Sequence, residues 1–395
     1  MNKNNRPTGK VALTNMPARQ TRITTVSNWR YFVHAPVPEQ PLLPGLEEWA
    51  GWSAAERTRY NRTRHVYHAN FAPIATPDLQ DFHNQMLLQI WKNVDGDDGA
   101  CPGGLLDGLG TLGKTTILNH LGRRFELEFN DTFPAEDPAQ QHQVIPVAIV
   151  TMTAGATPKD LSLSLARFYG VPLPTNTKGV TRSDITAAVI EAAEFHQTQL
   201  IMVDEAHFIN VKTDAGQLAN NHFKTLMNET GATFVFAGID CKGTGLLSEG
   251  LPDSSKSQIG GRLMYKAIAP MTRDSAAWSG VLRDLETRLV LGNLPEGTFT
   301  SELSAYLYMR TGGSIGSLMN LIRKAARVAV ETGTETIDQE LLKGITIDHN
   351  AELRRTDQGK TAPAIRSKAS ETKAAVKART TRTSKTLQTA AQAKA

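Results

Sequence analysis

The chain has 395 residues, 40% of them hydrophobic and 21% charged, with a formal net charge of +4, which leaves room for one large domain or two to three smaller ones. No run of apolar residues is long enough to cross a membrane, and the polar start MNKNNRPTGK lacks the apolar stretch of a secretory signal. Two distant cysteines, Cys101 and Cys241, exclude a disulfide framework or a four-cysteine zinc site, so the expected setting is a reducing cytoplasm.

Charge is unevenly spread. Residues 351–395 carry eleven Lys or Arg against three Asp or Glu, a net +8, whereas the first 350 residues carry 32 against 36, a net −4. A near-neutral body with a basic tail is a different object from a uniformly basic protein.

In chain order, residues 1–45 are polar, and Pro36, Pro38, Pro41 and Pro44 lie too close together for a helix. An extended or partly disordered arm is expected there. Ser53 followed by Glu56 forms a capping box that starts a helix, which continues through RTRYNRTRH, either a solvated face or a contact for nucleic acid. Thr76 and Pro77 start the next helix, with Leu79, Phe82, Met86 and Ile90 at helical spacing. From about 101 to 240 strands alternate with helices: GGLL, VIPVAIVTM (144–152), LIMV (200–203) and TFVFAG (233–238) read as buried strands. The spacing predicts a mostly parallel sheet covered by helices. Beyond Pro270 four helical segments follow, and the Ala-, Thr- and Lys-rich tail after 351 is expected to be disordered.

GLGTLGKT (108–115) matches G-x-x-x-x-G-K-[ST] in full, between a strand and a helix. Gly108, Gly110, Thr111, Gly113 and Thr116 belong to a loop and helix start whose N–H groups cradle phosphates. Lys114 supplies a charge for the β- and γ-phosphates, and the Thr115 hydroxyl is placed to ligate Mg²⁺. Asp107, directly before the loop, is unexpected. In LIMVDEAH a buried strand ends in two acids, where open α/β sheets bind ligands. Asp204 is positioned to hold Mg²⁺ through water, and Glu205 to orient or deprotonate an attacking water. Both motifs together predict a nucleotide-hydrolysing P-loop fold. No acceptor site for phosphoryl transfer is evident.

A helical domain after such a sheet is similar to the AAA+ class. The expectation is an α/β fold: an AAA+ P-loop parallel sheet with a small C-terminal helical lid domain, an N-terminal extension and a disordered basic tail. The expected boundaries are 1–70, 71–268, 269–350 and 351–395. In that class an arginine placed after the last strand reaches the neighbouring subunit's γ-phosphate, and Arg262 in QIGGRLMYKAI is the candidate.

The stretch from about 100 to 350 resembles the transposition helper ATPases of the TniB/TnsC kind. The segments that carry the resemblance are IPVAIVTMTAGATPKDL, TNTKGVTRSD, GGSIGSLMNLIRKAA and ETIDQELLKGI, in that order. It implies an ATP- and Mg²⁺-dependent regulator that forms a ring or helical homo-oligomer on double-stranded DNA and marks it for an integrase-type transposase, together with a target-selection protein. Lys159 and Thr181 look similar to positions that touch the DNA backbone, with Lys178 and Arg182 as neighbouring cations. On the residues alone this is a solvated loop or a loop over phosphates. Asp240 stands where such proteins carry a small Gly-Thr pair, and the GGSIGSL segment has no second-sensor arginine. The rival readings are a signalling NTPase that oligomerises without DNA and a replication-loader-type ATPase.

Overall fold

A computed structural model describes residues 22–96, 101–137, 140, 143–172, 181–209, 214–245 and 258–361. The chain divides into two compact units, the first ending at Ile345 and the second beginning at Thr346. Among the described residues no helix is long and apolar enough to cross a membrane.

Among the described residues four helices precede the sheet: α1 (Val26–His34), α2 (Leu46–Gly51), α3 (Ala54–Asn70) and α4 (Pro77–Asp95). Helix α1 departs from the extended arm expected over 1–45. Thr25 caps it by accepting from the Asn28 N–H, and Trp29 and Val33 are fully buried. It docks on α5 (Lys114–Thr132), where the Trp29 indole donates to Glu126 at 2.5 Å and Arg123 donates to the carbonyls of Val33 and Ala35. The prolines begin only after its last turn. Helices α3 and α4 start where expected, with the Ser53–Glu56 capping box formed in both directions and Thr76 accepting from the Leu79 N–H.

Among the described residues the sheet has five parallel strands in the order β2-β3-β4-β1-β5: β1 (Gly103–Asp107), β2 (Val147–Thr151), β3 (Leu200–Asp204), β4 (Thr233–Gly238) and β5 (Leu263–Ala267). Strands β1, β3 and β4 are buried along their whole length, as central strands covered on both faces must be. The crossovers carry α5, α6 (Pro158–Tyr169), α7 (Arg182–Phe195), α8 (Asp214–Thr230) and the short α9 (Gln258–Arg262). Strand β5 was not expected. It is an edge strand with half-exposed residues, LMYKA, and so lacks the continuous apolar run of its neighbours. Arg262 therefore precedes the last strand instead of following it.

After β5 come α10 (Ala276–Thr287), α11 (Ser304–Thr311), α12 (Ile315–Thr332) and α13 (Gln339–Lys343), all in the first unit. Helix α12 packs on α3, and Arg64 of α3, 1% exposed, meets both carboxylate oxygens of Glu335 at 2.6 and 2.8 Å. In the second unit the tail is helical as far as α14 (His349–Thr361), started by Asp348 accepting from the Ala351 N–H. The disorder expected beyond it lies outside the described residues.

Candidate functional site

Helices α1, α3, α4, α7 and α12 are each closed at the N-terminus by a side chain: Thr25, Ser53, Thr76, Thr181 and Ser314. Helix α5 is not. Its cap is Gly113, at φ 83°, with no side-chain hydrogen bond. The first N–H groups of α5 are left for an anion, and the helix dipole favours one there.

Lys114 opens the helix, is 8% exposed, and donates to the carbonyls of Gly108 and Leu109 at 2.7 and 2.8 Å. Burial pushes its ammonium below the usual lysine range, against the pull of Glu205, Asp204 and Asp107. Those carbonyls are weak partners for a buried cation, and phosphate oxygens would replace them with charge-assisted bonds.

The Thr115 hydroxyl donates to Asp204 Oδ2 at 2.8 Å, and Asp204 Oδ1 accepts from the Glu205 N–H at 2.9 Å. The loop after β1 and the end of β3 are thus joined through the two side chains expected to share a metal. Both offer oxygen, the donor a hard Mg²⁺ requires. Among the described residues no group of three or more His, Cys, Asp or Glu could hold a metal ion. Two protein oxygens plus substrate phosphates and water are what Mg²⁺ takes in such sites, so the donor set fits. Glu205 follows at φ 55° and heads a single 3-10 turn, Ala206–Phe208.

Two clefts meet at this helix start. One, of about 1080 Å³, is lined by Thr115, Asn119, Asp204 and Glu205, with Arg22 before α1 on its rim. Asn119 lies one turn beyond Thr115, and its Oδ1 is buried without a protein partner. The other, of about 370 Å³, is lined by Phe71, Ile74, Leu112, Thr116, Ile315 and Arg323. Consecutive threonines open on different spaces: one holds the acids, and the other lies beside Phe71, Ile74 and Ile315.

The segment before α12 closes directly on the phosphate loop. The Gly316 N–H and the Ser314 hydroxyl both donate to the Thr111 carbonyl at 2.8 Å, and Ser314 also bonds the Thr111 hydroxyl. A Cβ at Gly316 would stand 2.5 Å from that carbonyl oxygen, so only glycine allows the approach. Arg323, which the sequence reading passed over, sits over the Phe71 ring at 5.1 Å. Its signal was helical spacing from Ile315 and Gly316, about two turns earlier.

The remaining candidates fall in three places. Gly110 is open on its Cβ side, whereas Gly108 packs against Ile268. Asp107 is 6% exposed, takes the Tyr265 hydroxyl on Oδ2 at 3.2 Å, and leaves Oδ1 without a protein partner behind the loop. Asp240, at φ 50°, uses Oδ1 within its own turn, accepting from the Gly243 N–H. Arg262 donates to Asn228 at 2.8 Å and adjoins Leu263, which pairs with Gly103 at the start of β1. The phosphate loop follows Asp107 at the other end, a strand length of about 13 Å away. Arg262 is therefore not part of its own chain's site.

Lys159 is the second residue of α6, and Thr181 caps α7, accepting from the Asp184 N–H at 3.1 Å. Ser162 of α6 lies 3.3 Å from Thr186 of α7, hydroxyl to hydroxyl, which brings the starts of the two helices to one end of the pair. Lys159 and Thr181 share that end, where the backbone of Arg182 begins α7. Lys178 lies outside the described residues.

Comparison of the sequence with curated proteins returned no match. Among solved structures, the Aeropyrum pernix ORC1 protein in complex with DNA is similar at 20% identity and a TM-score of 0.49, over 74% of this chain and 68% of that one. Domain III of the Thermotoga maritima replication initiation protein DnaA is similar at 15% identity and a TM-score of 0.42, over 72% and 94%. AMPPCP-bound DnaA from Aquifex aeolicus is similar at 14% identity and a TM-score of 0.39, over 67% and 66%. Likeness at that level is too slight to carry function. Residues 100–241, which hold the phosphate loop, the acid pair and strands β1 to β4, match the family model of the AAA domain.

Proposed function

We propose that this protein is an ATPase of the AAA+ kind that uses nucleotide as a switch for assembly on duplex DNA, where it recruits an integrase-type transposase. The observation that carries the hydrolytic part is the bond between Thr115 and Asp204 with Glu205 beside it, next to an uncapped helix start and a buried lysine. In this reading the triphosphate lies along the first turn of α5 and takes over the Lys114 ammonium from the Gly108 and Leu109 carbonyls. Thr115 and Asp204 hold Mg²⁺, which when bound neutralises charge on the phosphate oxygens. Glu205 takes a proton from water as the water oxygen bonds to the γ-phosphorus, and the bond from phosphorus to the bridging oxygen breaks. A nucleoside diphosphate and phosphate leave. The cleft beside Thr116, with Phe71 and Ile315 in its wall, takes the base.

The switch part is supported by the contact of Ser314 and Gly316 with Thr111. The α12 segment is bonded to the loop that nucleotide must occupy, so filling or emptying the loop is felt by the helices after β5. Lys159 and Thr181 at one end of the α6–α7 pair are the DNA-backbone contacts of this reading, repeated in every subunit of the assembly. This reading assigns base recognition to no element among the described residues, and a separate target-selection protein supplies it.

Steady-state turnover and nucleotide binding by Lys114→Ala and Glu205→Gln test the reading. Lys114→Ala should lose binding, whereas Glu205→Gln should bind ATP but turn it over at least about 100-fold more slowly. Normal turnover in both variants would contradict it. Capture of an integrase-type transposase by the ATP-bound protein on DNA tests the partner. Capture of a replicative helicase instead would favour a loader.

A further inference from the structure

His207 follows the acid pair by two residues and has no role in the reading above. Its main chain and its ring are both held in place. Its main chain lies in the 3-10 turn that Glu205 begins, with the Phe208 N–H donating back to the Glu205 carbonyl at 3.1 Å. The turn rests on the end of β4, where a Cβ at Gly238 would stand 2.9 Å from the His207 nitrogen. Any side chain at 238 would push the turn off the strand. The imidazole lies 4.3 Å, centroid to centroid, from the Phe208 ring, and its side chain is 18% exposed.

One ring atom meets two groups with opposite needs. His207 Nδ1 accepts from the Ile239 N–H at 3.2 Å, and Glu205 Oε2 lies 3.2 Å from the same nitrogen. A main-chain N–H requires a lone pair on Nδ1, whereas a carboxylate requires a proton there. With its proton on Nε2 the ring engages Ile239 and leaves the carboxylate free. With its proton on Nδ1 it engages Glu205 and gives up Ile239. The two bonds exclude each other, and Ile239 adjoins Asp240 at the left-handed start of the turn after β4.

We infer that His207 is a positioning residue: it sets which way Glu205 faces and ties that choice to the end of strand β4. A shift of the 239–240 main chain toward or away from the phosphates is thereby passed to the group that activates water. The inference rests on the hydrolase reading above.

The test is steady-state kinetics on the full chain with His207→Ala, His207→Asn, Glu205→Gln and the double variant. His207→Ala should lower kcat by about 10- to 100-fold, the size of effect a misplaced catalytic group produces, with KM changed less than about twofold. His207→Asn keeps an acceptor near the Nδ1 position and should recover most of the rate. Adding His207→Ala to Glu205→Gln should cost nothing further, because histidine acts through the missing carboxylate. Wild-type kcat in His207→Ala overturns the inference. So does a loss that asparagine does not restore and that follows a fall in Tm, the pattern of a purely structural residue. If Glu205→Gln abolishes turnover while His207→Ala is normal, only this inference fails. If the wild type does not hydrolyse ATP, the hydrolase reading fails with it.

Discussion

Replacing Arg262 by alanine separates a surface arginine from one that completes a neighbour's site. Within its own chain Arg262 has one role on view, an exposed hydrogen bond to Asn228 at 2.8 Å. Losing that bond should cost no more than about 1 kcal/mol of stability. It cannot serve its own phosphate loop, because it adjoins the start of β5 and the loop leaves the far end of β1. If it reaches the next subunit's γ-phosphate, its loss should slow turnover about 10³-fold or more, roughly 4 kcal/mol of barrier. Nucleotide affinity of the lone subunit should stay the same. The assay is mixing. Glu205→Gln protein should bind nucleotide and assemble without appreciable turnover while keeping Arg262, and Arg262→Ala protein keeps an intact loop. In a head-to-tail assembly mixed one to one, half of the Arg262→Ala subunits gain an arginine from a neighbour, so about a quarter of wild-type activity should return. Normal turnover by Arg262→Ala alone, with no gain on mixing, would refute the reasoning.

Three further outcomes follow from the structure. Gly316→Ala gains up to about 1 kcal/mol of helix preference but places a Cβ 2.5 Å from the Thr111 carbonyl; displacement should win at about 1–3 kcal/mol, read as lower Tm and weaker ATP binding. Burial holds His68 and His120 neutral down to about 4. The unfolded chain protonates them below about 6.5, so stability is full above that pH and falls toward pH 4, by about 2 kcal/mol per histidine at pH 5. Glu126 works the other way: burial raises its carboxyl to about 7, so its contribution is full below 4.5 and is lost as pH rises through 7. Urea unfolding of Glu126→Gln, which removes that opposing group, should show the acid loss clearly; equal stability at pH 7 and pH 5 would contradict it. Lys159→Ala should weaken ATP-dependent DNA binding more than removal of residues 362–395 does, although that segment carries eight Lys or Arg against one Glu. One contact repeated in each subunit multiplies along an assembly, whereas attraction by a run of charge is screened by salt; a salt titration in which only the tail deletion matters would reverse this assignment.

What the sequence made legible follows from how local each signal is. The phosphate loop, the Ser53 and Thr76 caps and four of the five strands are written in consecutive residues, and each lies where the pattern pointed. Helix α1 carried the same kind of signal, with Thr25 as cap and Val26, Trp29 and Val33 at helical spacing, but the prolines from Pro36 onward drew the whole segment into an extended reading. Strand β5 was hidden because an edge strand is only half buried, and Lys266 within it pairs with Asp81 of α4 at 2.7 Å. The contacts that make a site were not written locally at all. Ser314 and Gly316 meeting Thr111, Arg323 over Phe71 and His207 shared between Glu205 and Ile239 join residues from separate elements, and no spacing in the chain announces them.

The central claim is that ATP and duplex DNA together build the assembly. Sedimentation velocity of the purified chain with a non-hydrolysable ATP analogue and duplex DNA, each alone and both together, tests it most directly. The account predicts large, ordered particles only when both are present, and none for Lys114→Ala under the same conditions. Assembly with the analogue alone, unchanged by DNA, or assembly on DNA that ignores nucleotide, would contradict it.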